Sequence, residues 1–164
     1  MKDNKQKLTD AYELHSDALF RYCLFKVSSR EKALDLVQET FTRVWEYLVD
    51  GNIIENIKPF LYTTARHLVI DEYRKKKISS LDTLMDQGLE PTINIEEELY
   101  DSIEASRVIE CVNKLPEVYS SIIIMRYVND LSVQDIANIV NESENVISVR
   151  IHRGLNKLRM LIQT

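Results

Sequence analysis

The chain has 164 residues, 45% of them hydrophobic, and carries 21 Lys and Arg against 26 Asp and Glu, a formal net charge of −5. It contains only three Gly and three Pro, which argues against a turn-rich sandwich or barrel and favours an all-α protein. No apolar run approaches the roughly 20 residues that a membrane-spanning helix needs, so membrane insertion is not expected.

The composition gives no sign of an enzyme or of a cofactor site. Cys23 and Cys111 lie far apart, without a CxxC or a Cys/His cluster, so neither a disulfide framework nor a zinc site is expected and a reducing cytoplasm is the default location. Arrangements of Ser, His and Asp for catalysis and Gly-rich phosphate loops are also missing. We therefore expect no catalysis, no cofactor and no metal. The first ten residues are polar and mixed in charge, unlike a signal or transit peptide.

Charge is segregated along the chain. Residues 1–77 have a net charge of +2, residues 78–106 hold eight acids and no Lys or Arg, and residues 107–164 have a net charge of +1. Because exposed charges are screened over about 10 Å at moderate salt, a binding surface responds to local rather than total charge. The overall acidity therefore does not exclude nucleic-acid binding.

The first part of the chain predicts three helices. Apolar residues at helical spacing run through 8–28 and predict a core-facing side with Leu14, Ala18, Tyr22 and Phe25, and Ser28 to Arg30 is a plausible break. A second helix over 31–49 has one apolar stripe, and Gly51 follows it as a credible cap. After a loop over 52–58, Pro59 is well placed to open a third helix that ends in a basic run at 74–77. The stripe of the second helix comprises Leu34, Val37, Phe41, Val44, Trp45 and Leu48.

The middle of the chain predicts a flexible acidic linker between two small helical domains. Residues 79–104 lack clean periodicity and contain Gly88 and Pro91. Helical spacing resumes near Ile103, and Pro116 opens a further helix. We place the first domain at 1–78, the linker at 79–106 and the second domain at 107–164.

Residues 131–158 predict a helix-turn-helix. Ser132 can cap a short helix in a capping box with Asp135, and Ser143 can cap a second helix after a turn at 141–143. The apolar stripe of that second helix comprises Ile147, Ile151, Leu155, Leu158 and Ile162.

The opposite side of that second helix has the character of a recognition face. It is uncharged to basic, and no acid follows Glu144. An ordinary amphipathic hairpin with a solvated basic face is the alternative, but solvated faces usually mix both signs of charge. A helix with such a face fits the major groove of DNA. Its residues are Asn145, Ser148, Val149, His152 and Asn156, flanked by Arg150 and Arg153.

Each domain carries a set of residues that together form a known pattern. They are Leu115 to Glu117, Arg126, Leu131, Ser132, Asp135 to Ala137, Ser143 and Val149 to Arg153 in the second domain, and Asp35 to Phe41, Val44, Trp45, Pro59 to Leu61, Ala65, Arg66, Ile70, Asp71 and Arg74 to Lys77 in the first. With these residues the sequence resembles a bacterial RNA polymerase sigma factor of the small, extracytoplasmic-function type. The second domain is similar to the family's fourth region, which reads the minus-thirty-five promoter element, and the first domain is similar to the second region, which engages polymerase and the minus-ten element.

The resemblance implies three sets of binding residues and no covalent chemistry. The set for core RNA polymerase is Asp35, Gln38, Glu39 and Thr42. The set for the minus-ten element is Asn52, Asn56, Arg66, His67, Arg74, Lys75, Lys76 and Lys77. The set for the minus-thirty-five element is Ser148, Val149, His152 and Arg153 toward bases, with Arg150 and Lys157 toward phosphates.

Several positions depart from the family pattern, which often has Gly-Thr in place of Asn145-Val146 and Arg in place of Leu155. The family often has Lys or Arg where this chain has Ser148, and Asn where it has His67. The bases that each domain reads are therefore left open by the sequence.

The resemblance also implies the partners: core polymerase, promoter DNA and, as a hypothesis, an anti-sigma factor that covers both domains. Two alternatives remain at this point. A helix-turn-helix regulator that is not a polymerase subunit would explain residues 131–158 but not the acidic stripe on the second helix. A helical adaptor that binds only proteins would show no salt-sensitive affinity for DNA.

Overall fold

A computed structural model describes residues 2–83 and 103–164, and within these ranges the chain forms helices, turns and loops with no strand. The expected all-α class is confirmed. Each described helix is too short or too polar to cross a membrane. In chain order the elements are α1 (Lys2–Val27), α2 (Arg30–Val49), α3 (Ile57–Thr83), α4 (Ile103–Lys114), α5 (Glu117–Ile123), a π-helical turn (Ile124–Val128), α6 (Val133–Val140) and α7 (Glu144–Gln163).

Helices α1 to α3 form the N-terminal module around a shared apolar core. The break between α1 and α2 lies where it was expected: Ser28 adopts a positive φ of 53°, and the Ser29 hydroxyl accepts a hydrogen bond from the amide of Lys32. Helix α2 begins within one residue of its predicted start and ends at Val49. The fully buried side chains of this core include Leu19, Tyr22, Val44, Leu61 and Val69.

Two leucines that were expected in this core lie outside it. Leu14 is 75% exposed and Leu34 is 51% exposed. The buried stripe of α2 is shifted around the helix and includes Ala33, Leu36 and Thr40. The polar Thr40 side chain is tolerated in this buried stripe because its hydroxyl donates to the Leu36 carbonyl within the helix, which satisfies the buried polar group.

Helix α3 is longer than its sequence pattern indicated. It begins at Ile57, so Pro59 lies in its first turn, where its missing N–H costs no hydrogen bond. It continues past the basic run to Thr83, since no Gly or Pro interrupts it before that residue. The outer parts of the predicted linker, up to Thr83 and from Ile103, are therefore helical, and its middle, 84–102, lies outside the described residues.

Helices α4 to α7 form the C-terminal module. The π-helical turn ends where the Asn129 amide donates to the Ile124 carbonyl five residues earlier. The two expected caps are confirmed: the Ser132 hydroxyl accepts from the Asp135 amide at 3.0 Å, and the Ser143 hydroxyl accepts from the Val146 amide at 3.2 Å. Asn141 supplies the left-handed residue, with φ of 56°, that ends α6 and starts the turn toward α7.

The two modules pack against each other. Helices α1 and α3 of the N-terminal module contact α4, α5, the π-helical turn and α6 of the C-terminal module. The sequence left this arrangement open, because the contacts join residues far apart along the chain.

The exposure difference between two leucines on α1 gives a direct test of the core. Leu19→Ala removes a fully buried side chain and should lower the free energy of unfolding by about 2–5 kcal/mol. Leu14→Ala changes an exposed site on the same helix and should alter it by less than about 1 kcal/mol. Urea denaturation followed by circular dichroism measures both, and equal losses would contradict the buried face assigned to α1.

Candidate nucleic-acid interface

The position of α7 depends on a glycine that the sequence pattern did not single out. Gly154 is buried against α5, and a Cβ atom added there would lie 2.8 Å from Ile123 Cδ1 and 3.3 Å from Tyr119 Cβ. A side chain at this position would press on the side chains of Ile123 and Tyr119, so glycine allows α7 to lie close to α5 without moving them. The buried stripe of α7 thus centres on Ile147 and Gly154, and Ile162, expected in that stripe, is 37% exposed.

The opposite side of α7 is open to solvent, as a recognition face requires. Ser148, Val149, His152 and Arg153 are all exposed, and Val149 keeps 41% of its surface accessible. An apolar side chain held in water on an otherwise polar helix face suits contact with a thymine methyl group. The four residues predicted to touch bases therefore share one accessible face.

The two remaining predicted contacts on α7 also have partners within the chain. Arg150 is half-buried and pairs with Glu142 in the turn, with Nη2 3.2 Å from Oε1. Lys157 is exposed, and its ammonium lies 5.8 Å from the centre of the Tyr119 ring. Each of these two cations therefore has a partner within the chain, Glu142 for Arg150 and Tyr119 for Lys157.

The four residues predicted to bind polymerase lie together on the exposed side of α2. Asp35, Gln38, Glu39 and Thr42 are all accessible. Within the helix, Arg43 donates to Glu39 at 3.0 Å and the Thr42 hydroxyl donates to the Gln38 carbonyl at 2.9 Å. We call these four residues the α2 stripe.

An apolar cleft that the sequence did not indicate runs beside the α2 stripe. It has a volume of about 560 Å³ and lies between α1 and α2. The exposed Leu34 and Tyr12 line it, together with Trp45. Large exposed apolar side chains next to a polar stripe are typical of protein–protein interfaces. Leu34, which was expected in the core, lines this exposed cleft instead.

Most of the predicted minus-ten residues are accessible on α3 and the loop before it. Asn52, Asn56, His67 and the basic run at 74–77 are exposed, and the Asn52 amide donates to the Tyr47 carbonyl at 3.0 Å. Arg66 differs from them. It is half-buried where the modules meet, and its Nε atom has no hydrogen-bond partner among the described residues.

The structure also brings two of the predicted sets together. A cleft of about 630 Å³ between α2 and α3 is lined by Asp35 and Glu39 on one side and by Arg74 and Lys75 on the other. The acidic residues of the α2 stripe thus lie next to the basic run of α3, and Asp71 and Glu72 of α3 line the same cleft.

Neither cysteine has the setting of a reactive or metal-binding thiol. Cys23 and Cys111 are both buried, and burial raises the pKa of Cys23 to about 12. Within the described ranges, no group of three or more His, Cys, Asp and Glu side chains is arranged to hold a metal ion.

Comparison with known proteins decides the family. Residues 11–78 match the family described as Sigma-70 region 2, and residues 105–158 match Sigma-70, region 4. The RNA polymerase sigma factor SigV from Bacillus subtilis is 30% identical over 147 residues, which cover 89% of this chain and 85% of that protein. The chain belongs to the sigma-70 family.

Within that family, this sigma factor is of the extracytoplasmic-function (ECF) type. The ECF RNA polymerase sigma factor SigW from Bacillus subtilis is 27% identical, over 96% of this chain and 90% of that protein. The fold of this chain is similar to that of the sigma factor RpoE, solved in a complex with the anti-sigma factor NepR from Bartonella quintana. The TM-score is 0.71 and the identity 24%, with coverage of 100% of this chain and 99% of that chain. The alternative of a regulator outside the polymerase is thereby excluded.

The close approach at Gly154 gives a test of how this sigma factor holds α7. Gly154→Leu must displace Ile123 and Tyr119, so we expect a loss of about 1–3 kcal/mol in the free energy of unfolding, although leucine favours helix more than glycine does. Asn156→Leu, at an exposed position on the same helix, should be nearly neutral. Denaturant titration compares the two, and a stabilising Gly154→Leu would refute the close packing of α7 on α5.

Proposed function

We propose that this sigma factor binds core RNA polymerase through the α2 stripe and reads two promoter elements, one with α3 and its preceding loop and one with α7. In this way it directs promoter recognition, melting and the initiation of transcription in the cytoplasm. The observation that carries the proposal is the exposed, acid-free face of α7, held in a capped helix-turn-helix. It is a component of an initiation complex and needs no catalytic residue or cofactor of its own.

We assign base reading at the minus-thirty-five element to Ser148, Val149, His152 and Arg153. The exposed Arg153 can donate two hydrogen bonds to one guanine, a pairing worth about 1–3 kcal/mol of discrimination. Ser148 contributes an uncharged hydroxyl, so little of the affinity should come from phosphates at that position. Arg150 and Lys157 neutralise phosphates without reading sequence.

We assign the minus-ten element to α3 and the loop before it. The exposed loop residues Asn52 and Asn56, with His67 on the helix, offer hydrogen-bonding groups to bases that melting has unstacked, since single strands expose edges that a duplex hides. The basic residues at 74–77 are exposed in the second half of α3 and neutralise phosphates. Arg66 joins this set once its buried Nε becomes accessible.

We assign polymerase binding to the α2 stripe together with the adjoining apolar cleft. Asp35 and Glu39 provide charge that steers association with a basic partner surface and fixes orientation. The cleft lined by Leu34 and Trp45 adds apolar surface that would be buried away from water on binding, which favours the complex. The charged residues of the α2 stripe would thus provide specificity and the adjoining apolar cleft would provide affinity, on one continuous surface.

We also propose an anti-sigma factor as a regulatory partner. The support is the likeness in fold to a sigma factor that was solved with an anti-sigma factor bound. Purification of the protein from its host at native expression level tests this. A fully active protein that purifies without any partner would remove the anti-sigma factor from the proposal.

Charge reversal on the α2 stripe tests the polymerase contact. Asp35→Arg combined with Glu39→Arg should weaken binding to core polymerase at least tenfold, because like charges facing each other cost several kcal/mol. Glu13→Arg, an exposed acid on α1, is the matched control and should bind as the unmodified protein does. Fluorescence titration against core polymerase measures the affinities, and equal affinity for all three proteins would contradict this assignment.

Alanine substitutions on α7 separate base reading from phosphate binding. Arg153→Ala should weaken promoter binding by the polymerase complex by about 5- to 150-fold and relax the preference at one base position, as the loss of one bidentate pair predicts. Lys157→Ala should weaken binding to all sequences alike and reduce the salt slope by about 1. Gln163→Ala, at the exposed end of the helix, serves as control. Binding isotherms at several salt concentrations distinguish these outcomes, and a sequence-independent loss for Arg153→Ala would contradict its base-reading role.

A further inference from the structure

The loop between α2 and α3 is closed at its base by contacts that are local in sequence. Gly51 adopts a positive φ of 91°, a conformation that favours glycine, and the Asn52 side-chain amide donates to the Tyr47 carbonyl at 3.0 Å. The ring centroids of Tyr47 and Phe60 lie 4.9 Å apart, so the last turn of α2 contacts the first turn of α3. We call residues 52–56 the minus-ten loop, since we assign its two asparagines to that element.

One contact from a distant part of the sequence also holds this loop. The Lys7 ammonium of α1 donates to the Ile54 carbonyl, with Nζ 2.6 Å from the oxygen. A hydrogen bond from a charged donor is shorter and stronger than one between neutral groups. No other hydrogen bond reaches residues 53–56 from the parts of the chain that the structure describes. Lys7 is therefore the polar anchor of the outer part of the loop.

The bond from Lys7 fixes a direction that apolar packing alone leaves open. Ile54 is 4% exposed and its side chain belongs to the core. Burial of an apolar side chain is non-directional, whereas a hydrogen-bond donor must lie near the plane of the carbonyl group that accepts from it. Lys7 thus sets the plane of the peptide that joins Ile54 to Glu55, and with it the direction in which the chain continues to Asn56.

The residue before this anchor is the most exposed large apolar residue that the structure describes. Ile53 keeps 86% of its surface accessible, although the adjacent Ile54 is buried. Its β-branched side chain has few rotamers, so the backbone determines where it lies. Every base offers an apolar face once it is unstacked, and Ile53 suits that face while the exposed Asn52 and Asn56 suit the polar edges.

We propose that Lys7 is a positioning residue for base reading at the minus-ten element: its bond to the Ile54 carbonyl holds the loop in the shape that places Ile53 against an unpaired base. The inference rests on the proposed function in what the loop binds, whereas the tether is a property of the chain alone. Lys7 lies outside all three predicted sets of binding residues, and it acts through the loop without touching DNA.

Matched variants of the full chain test the tether. Lys7→Met removes the donor and keeps a long side chain, Lys7→Arg keeps a charged donor, and Lys5→Met changes an exposed lysine of the same helix. Nitrogen-15 relaxation measures the order parameters of the loop amides. We expect about 0.85 for the unmodified protein, Lys7→Arg and Lys5→Met, and a fall toward about 0.6 for Lys7→Met. Order parameters that stay unchanged in Lys7→Met would overturn the tether.

Transcription by core polymerase, on a promoter library randomised at both elements, tests the positioning role. Lys7→Met should weaken the base preference within the minus-ten element by about fivefold or more. The preference at the minus-thirty-five element should stay unchanged, because we assign that element to α7. Lys7→Arg and Lys5→Met should keep both preferences. A merely structural role for Lys7 would lower transcript yield without changing which bases are selected, and that result would overturn the proposal.

Ile53→Ala tests the contact that the tether positions. It should weaken the same minus-ten preference as Lys7→Met, while the order parameters of the neighbouring amides stay at the values of the unmodified protein. Leu14→Ala, at an exposed leucine of α1, is the control and should keep both preferences. Since Lys7 and Ile53 act on one contact, the double variant should lose no more than the larger single loss. Additive losses, or losses at different base positions, would overturn the proposal.

The outcomes separate this inference from the proposed function. Protein-dependent transcription with the same minus-ten preference in Lys7→Met as in the unmodified protein would overturn the positioning role and leave the proposed function standing. Transcripts indifferent to every form of the protein would refute the proposed function and, with it, base reading by the loop. A loop that loosens in Lys7→Met would confirm the tether in either case.

Discussion

The whole arrangement depends on one geometric constraint: a helix that buries one stripe leaves its opposite face in water. Val44 holds α2 in the core while Glu39 stays exposed on the other side. Ile147 and Gly154 do the same for α7 and leave Val149 accessible. Since the buried and exposed faces are fixed together, the packing of the core determines which surfaces are offered to partners.

Much of the fold followed from local chemistry in the sequence. The caps at Ser132 and Ser143 and the extent of α2 were predictable, because a capping hydroxyl and an apolar stripe act within one or two helical turns. Helix α3 was predicted too short, since a run of like charges suggested a boundary, while the absence of Gly and Pro was the better signal. Leu14 was misplaced because helical spacing gives the period of the apolar residues but not the direction of the core.

The candidate site was predictable to the extent that single helices determine it. The exposed faces of α2 and α7 could be assigned from the sequence, and an isolated glycine inside a helical pattern could have identified Gly154. The contact between the two modules could not be predicted, because Lys26 and Glu117, which pair across it, are 91 residues apart and each belongs to a different module. Arg66 illustrates the consequence: its residue type indicated DNA, whereas its burial shows that access depends on how the modules are arranged.

Transcription initiated in vitro by core polymerase, on a promoter library randomised at both elements, tests the central claim most directly. We expect transcripts to depend on this protein and to be enriched for two sequence elements at a fixed spacing. Transcript yields and sequences that are the same with and without the protein would contradict its role as a promoter-selecting subunit of RNA polymerase.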